Sequence, residues 1–270
     1  MTMKHLFMLS ALLVTTQLPA AWAGSKANQA PRHEAQQIVT FAKNVEKYAA
    51  AQGARAFIIA RVGRPQQELP KDIKFTHTAV ALYSDITLDS GEMIQGYAIH
   101  NLYQKDGKLD RSQLVTDYPA DFFWGAHDLK AGIIIPTEEI QNRLIELISL
   151  GKDKTLHNDH YSVIANPLNV RFQNCTEYTL DLLNAAIYQT TDQAKLKANA
   201  KAYFKPQRVH TSGFKLMLGS LLQDDITTQD HQGKVATATF TSLARYLNQY
   251  GLANTMVTYF SDGSTEPVEG

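Results

Sequence analysis

The sequence predicts an α+β protein, with strand runs through its first half and mostly helical runs in its second, folded as one domain over residues 24–270. Two observations carry this reading. Short apolar runs bounded by turn residues recur between positions 54 and 136, and segments with three- and four-residue apolar spacing lie on either side of them. No internal repeat or low-complexity tract suggests a solenoid or an extended architecture instead.

The elements follow in order. Ile38, Phe41, Val45 and Tyr48 recur at helical spacing up to Gly53, which gives an amphipathic helix. Residues 54–62 (ARAFIIARV) form a strand closed by Gly63 and Pro65, and 75–83 (FTHTAVALY) form a second. A third, 92–103 (EMIQGYAIHNLY), is entered through the turn residues Asp89, Ser90 and Gly91. Residues 105–113 read as a charged loop, and 131–136 (AGIIIP) as a short buried strand. Thr137 with Glu138 and Glu139 then opens a helix that runs to Gly151.

Beyond it, 152–159 is polar and turn-like, 161–165 is a short strand, and Asn166-Pro167 breaks the chain. Residues 176–188 (TEYTLDLLNAAIY) are helical, and a polar helix follows over 192–204. The remainder offers helices at 213–222 and 242–250 and strands at 234–239 and 254–260. The core of the domain is therefore expected over about 54–188, with 206–270 as a C-terminal extension.

Composition narrows the function. Lys and Arg number 26, as do Asp and Glu, so the charge balance supplies no footprint for nucleic acid. A single cysteine excludes an internal disulfide and a Cys-rich zinc module, and no cofactor motif is present. At the N-terminus, Lys4 precedes a short apolar core from Leu6 to Val14, and Ala21-Trp22-Ala23 has the small-x-small pattern of a signal-peptidase site. Residues 1–23 thus read as a signal peptide cleaved after Ala23, with a periplasmic or secreted mature chain. No later segment is apolar for long enough to span a bilayer.

Export makes the lone thiol worth locating. In Gln173-Asn174-Cys175-Thr176-Glu177, Asn174 as N-cap puts Glu177 at the third helical position and Cys175 at the first. There the thiol faces unpaired backbone N–H groups and the positive end of the helix dipole, both of which favour thiolate. A thiolate nucleophile needs a base, and each central strand carries one histidine. His77 shares a face with Ala79 and Ala81, and His100 shares one with Gly96 and Ala98, so small neighbours leave room for another element. If the strands pair, His77 serves as base and His100 supports its ring.

A histidine strand (FTHTAVAL), a polar position on the next strand (YAIHNLY), and then Asn-Cys opening a helix (QNCTEYTLDLL) resemble the circularly permuted papain-like fold. This is the order of the permuted NlpC-like hydrolases and the lecithin:retinol acyltransferase group, in which His precedes Cys. The resemblance implies an antiparallel sheet packed against a helix bearing the Cys at its N-terminus, with Cys175 as nucleophile, His77 as base and His100 as third residue. RVGRP at 61–65, FTHTAVAL, and YSVIANPLNVRFQN at 161–174 also resemble a family of secreted bacterial proteins of unknown function.

The expected chemistry is hydrolysis or acyl transfer at an amide or ester, on a small molecule or on cell-envelope peptides or lipids. The alternative expectation is an inactive envelope binding or structural protein. The oxyanion would be held by the Cys175 backbone N–H and by one of Gln173, Asn174 or Asn169. Arg61 and Arg64, read in the turn after the first strand, are candidates for a substrate carboxylate. His157 and His160 flank an acid but lack a third metal ligand, and residues 121–125 (DFFWG) read as core packing beside a turn.

Overall fold

A computed structural model of the chain describes residues 30–87, 90–210 and 227–268. The expected signal segment, Asp89 of the expected turn and the helix expected over 213–222 lie outside the described residues.

Seven antiparallel strands form one sheet. They are β1 (Ala56–Val62), β2 (His77–Thr87), β3 (Met93–Lys105), β4 (Lys108–Asp117), β5 (Asp128–Pro136), β8 (Ala253–Phe260) and β9 (Thr265–Pro267), ordered β4-β3-β2-β1-β5-β8-β9. Two short strands, β6 (Gln207–Arg208) and β7 (Ala236–Thr237), pair separately. The described helices are α1 (Ala35–Ala51), α2 (Pro119–Trp124), α3 (Glu138–Ser149), α4 (Cys175–Tyr188), α5 (Gln193–Tyr203) and α6 (Phe240–Gln249). This is the α+β organisation that the sequence predicts.

Alternation along each strand sorts the core into two layers. Phe57, Ile59, Ala79, Ala81, Ile99 and Ile133 pack with Phe41 of α1 and Phe123 of α2 on one face. Ile58, Val80, Leu82, Leu102 and Ile134 pack with Leu144 of α3, Leu183 of α4 and Leu243 of α6 on the other. At about 1.5–3 kcal/mol per fully buried large apolar side chain, the central strands, apolar on both faces, anchor the fold. Ala79 and Ala81 of β2 join α1 and α2 in the first of these layers.

Several boundaries differ from the sequence reading; the strand expected over 234–239, for one, is only Ala236–Thr237. The charged stretch 105–113 turns at Gly107 (φ 73°) and continues as the edge strand β4. Edge strands carry charge because one side meets water, which makes them read as loop. Residues 161–165 form no strand: only Tyr161 bridges, to Gln173. Residues 121–125 lie in and just after α2, whose Phe122 and Phe123 are fully buried.

Candidate active site

The β2–β3 register ends at Val80 opposite His100, yet β3 runs on beside β4 to Lys105. The sheet therefore forks beyond Val80, at the end of β2 that carries His77. The amide of Tyr83 donates to Arg55 O on the β1 side, so by alternation the Thr78 amide points into the fork. The N-terminus of α4 docks there. Thr176 Oγ1 donates to Thr78 Oγ1 at 3.2 Å, and the Thr78 backbone N–H reaches the Cys175 sulfur.

Local sequence explains the placement of Cys175. Asn174 is extended (φ −117°, ψ 177°), and its Oδ1 accepts from the Glu177 N–H at 2.9 Å, so Cys175 is the first residue of α4. The reciprocal half of a capping box is absent, because the Glu177 carboxylate turns instead to Lys197 Nζ at 2.8 Å. Cys175 is only 5% exposed. Burial pushes its thiol pKa up, against a downward pull from the Thr78 N–H, the Thr176 hydroxyl and N–H, and the Arg61 guanidinium. In this state the sulfur is a thiol.

His77 is buried and held neutral, its pKa well below the usual value. Desolvation is the main cause and the Arg61 charge the second, with the Asn101 hydrogen bond opposing both. Its Nε2 lies 2.9 Å from Asn101 Oδ1. Asn101 Nδ2 donates to Ile99 O at 3.0 Å and to Asp117 Oδ2 at 3.2 Å, which fixes Oδ1 as the atom facing the ring. Nε2 therefore carries the proton, and Nδ1 presents a lone pair with no hydrogen-bond partner. No hydrogen bond joins that nitrogen to Cys175 in this state.

Tyr103 and Asp117 complete the surroundings. Tyr103 stacks on His77 at 4.6 Å between centroids, and its hydroxyl donates to Asp117 Oδ2 at 2.6 Å. The ring of Phe122 is centred 5.5 Å from that of His77, tilted by 36°. The Arg61 guanidinium sits 5.8 Å from the Tyr103 ring and 5.5 Å from that of Phe122.

The other expected residues fall as follows. His100 is separated from His77 by register. Residues directly opposed across a sheet share a face, so His100 lies on the face of Val80, opposite in parity to His77. The position at His77 Nε2 is filled by Asn101, the next residue along. Arg61, read as a turn residue, is an inward side chain of β1, 2% exposed and paired in register with His77.

The three candidate oxyanion side chains already have partners. Gln173 Nε2 donates to Leu156 O and Asp181 Oδ2, Asn174 Nδ2 to Val163 O and Thr237 Oγ1, and Asn169 Nδ2 to Asp230 O. His157 is 2.9 Å from Ser112 Oγ, and among the described residues no three His, Cys, Asp or Glu side chains form a metal set.

Fold and site together define an α+β protein with a thiol, an imidazole and a carboxamide gathered at a fork in its sheet. The chain belongs to the bacterial family described as "uncharacterized protein conserved in bacteria (DUF2145)", which it matches over residues 48–247. That span holds every residue of the site. No curated protein and no solved structure matches the chain. No described helix is long and apolar enough to cross a membrane.

Proposed function

We propose that the protein is an exported thiol hydrolase or acyltransferase of permuted papain-like architecture, acting on an amide or ester bond of a small molecule or of cell-envelope peptides or lipids. Cys175 is its nucleophile, His77 its base and Asn101 the third residue, the Cys-His-Asn set of papain-like chemistry. The observation that carries this reading is the His77 tautomer: its proton is held on Nε2 by Asn101, and a bare Nδ1 lone pair remains.

Substrate entry brings Nδ1 and the sulfur into contact, and His77 takes the thiol proton as the sulfur attacks the carbonyl. A C–S bond forms, and the C–N or C–O bond breaks as His77 returns the proton to the leaving group. Water or an acceptor alcohol or amine then releases the acyl group, with His77 again as base. As the first residue of α4, Cys175 has a backbone N–H without an intrahelical acceptor, and this N–H serves the oxyanion. Arg61 supplies positive charge close by, since it favours the thiolate and disfavours imidazolium.

The test is acylation by p-nitrophenyl acetate at neutral pH, followed by intact-protein mass. The expected result is one acetyl group on Cys175, absent in Cys175→Ala and slowed about a hundredfold or more in His77→Ala. A second reading, an envelope binding or structural protein without turnover, is favoured by the thiol being 5% exposed and pushed up in pKa by burial. A folded chain that never acquires the acetyl group selects that reading.

A further inference from the structure

A cavity of about 330 Å³ lies on the α4 face of the sheet, between β3–β4, the end of α3 and the turn that follows it. His100, Leu114, Ile148, Asp153, Lys154 and Tyr178 are among the side chains that line it. Two of these have unused hydrogen-bonding capacity. Asp153 is 5% exposed: its Oδ2 accepts from the Tyr178 hydroxyl at 3.4 Å, while Oδ1 has no hydrogen-bond partner. Burial lowers the His100 pKa, against an upward pull from Asp153, so the ring is a neutral donor and acceptor at the wall. Oδ1 is itself closed to water, so a ligand in the cavity meets this carboxylate through Oδ2, whose single long bond leaves it acceptor capacity, and one water, with about 30 Å³ of liquid volume, fills a small part of this space.

The chemistry of the lining narrows the occupant. The Asp153 carboxylate and the Lys154 ammonium balance, so neither a free anion nor a free cation gains from both. Only His100 and Asp153 are metal-ligating types among these six side chains, and no three such groups come together among the described residues. Hydroxyl groups suit the site, because each can donate to Asp153 and accept from Lys154 or His100. Leu114 and Ile148 add an apolar wall of the kind that takes the C–H face of a saturated ring, and the volume is at the small end for ligand pockets.

We infer that this cavity is a binding site for a sugar ring. The inference stands apart from the thiol itself, since Cys175 does not line the cavity, although Asn101, the third residue of the proposed site, does. Amide shifts of the whole mature chain are followed as N-acetylglucosamine, glucose, propylammonium chloride and sodium acetate are added in turn. Saturable shifts are expected at residues 100, 153 and 178 with a sugar, unchanged in Cys175→Ala and weakened about tenfold in Asp153→Asn, the scale of one charge-assisted hydrogen bond.

His100→Ala provides a second variant, with weaker binding expected, should Asp153→Asn fail to fold. Tighter binding of chitotriose than of the monosaccharide marks a glycan as the source of the ring, and equal binding marks a free sugar. The inference is overturned if no sugar gives saturable shifts, if the shifts fall elsewhere, if folded Asp153→Asn or His100→Ala binds as the parent does, or if ammonium or acetate binds there in preference.

Discussion

His77 Nε2 donates to Asn101 Oδ1 at 2.9 Å, and the same Asn101 is oriented by Asp117, which also receives the hydroxyl of the Tyr103 stacked on His77. The imidazole is thus fixed in plane by a hydrogen bond and across its face by an aromatic ring, and both supports meet at one carboxylate. Such closure specifies which nitrogen carries the proton.

Asn101→Ala removes the acceptor and leaves a buried ring N–H unpaired, so stability is expected to fall by about 1–3 kcal/mol in urea unfolding. The ring nitrogens of His77, followed by ¹⁵N NMR, should lose their single tautomer. Asn101→Asp, which keeps an acceptor, should retain it. A single Nε2-protonated tautomer in the alanine variant would show that Asn101 does not set the proton's position.

Arg61 acts on both partners of the proposed proton transfer with opposite consequences for charge. Its cation favours thiolate at Cys175 and disfavours imidazolium at His77. Arg61→Met, close in length and uncharged, should move both pKa values upward: alkylation of Cys175 by iodoacetamide shifts to higher pH, and His77 titrates at higher pH by NMR. Arg61→Lys should preserve most of both effects. Unchanged profiles in the methionine variant would mean that the charge of Arg61 is neutralised before it reaches either group.

The sequence shows the Cys175 position because an N-cap is a local signal: Asn174 accepts from Glu177, three residues on, whatever the rest of the chain does. It also shows His77 on a strand with small neighbours. Asn101 is hidden for the opposite reason. Whether His100 or Asn101 faces His77 depends on one residue of register between β2 and β3, and a one-residue change exchanges the two faces. The β2–β3 fork and the inward turn of Arg61 are likewise tertiary. In RVGRP, nothing local separates a strand-end arginine buried over Tyr103 and Phe122 from an exposed turn arginine. Asp117 lies beyond the charged loop read at 105–113, in a stretch to which the sequence reading gives no element, and only the pairing of β4 with β3 brings it to Asn101.

Packing of α6 against the sheet depends on the absence of a side chain. A Cβ at Gly132 of β5 would lie 2.6 Å from Phe240 Cζ and 2.7 Å from Cε1. Phe240 is fully buried and meets Phe75 at 4.8 Å, so the ring has nowhere to go. Gly132→Ala is expected to cost about 1–3 kcal/mol through overpacking, seen as a lower urea midpoint at an unchanged slope. Adding Phe240→Leu should recover part of that loss. A double variant that loses the sum of both single effects would place the cost in the strand backbone.

The buried charges behind α4 set a pH dependence of stability. Lys197 Nζ contacts Asp181 at 2.8 and 2.9 Å and Glu177 Oε1 at 2.8 Å, whereas Glu177 Oε2 has no hydrogen-bond partner. Two carboxylates share one ammonium, and burial raises the pKa of Asp181 as well as that of Glu177. Desolvation is the main cause of the Glu177 pKa being pushed up to about 8, and Lys197 opposes the shift. Between the ordinary carboxylate range and pH 8 the folded chain binds a proton that the unfolded chain has released. Stability from this group is therefore full in acid and declines as pH rises through 8. His77 runs the other way: its depressed pKa leaves stability full above about 6.5, the unfolded value, and lost as pH falls below it. Below pH 6.5 the two windows overlap with opposite slopes and offset each other, so Glu177→Gln, neutral at every pH, should flatten the decline between pH 6.5 and 8 and expose a loss of stability below 6.5. His77→Gln should instead extend the decline from pH 8 down to the ordinary carboxylate range. Urea unfolding at half-unit pH steps separates the two, and a Glu177→Gln curve that parallels the parent above pH 6.5 would place that proton on another group.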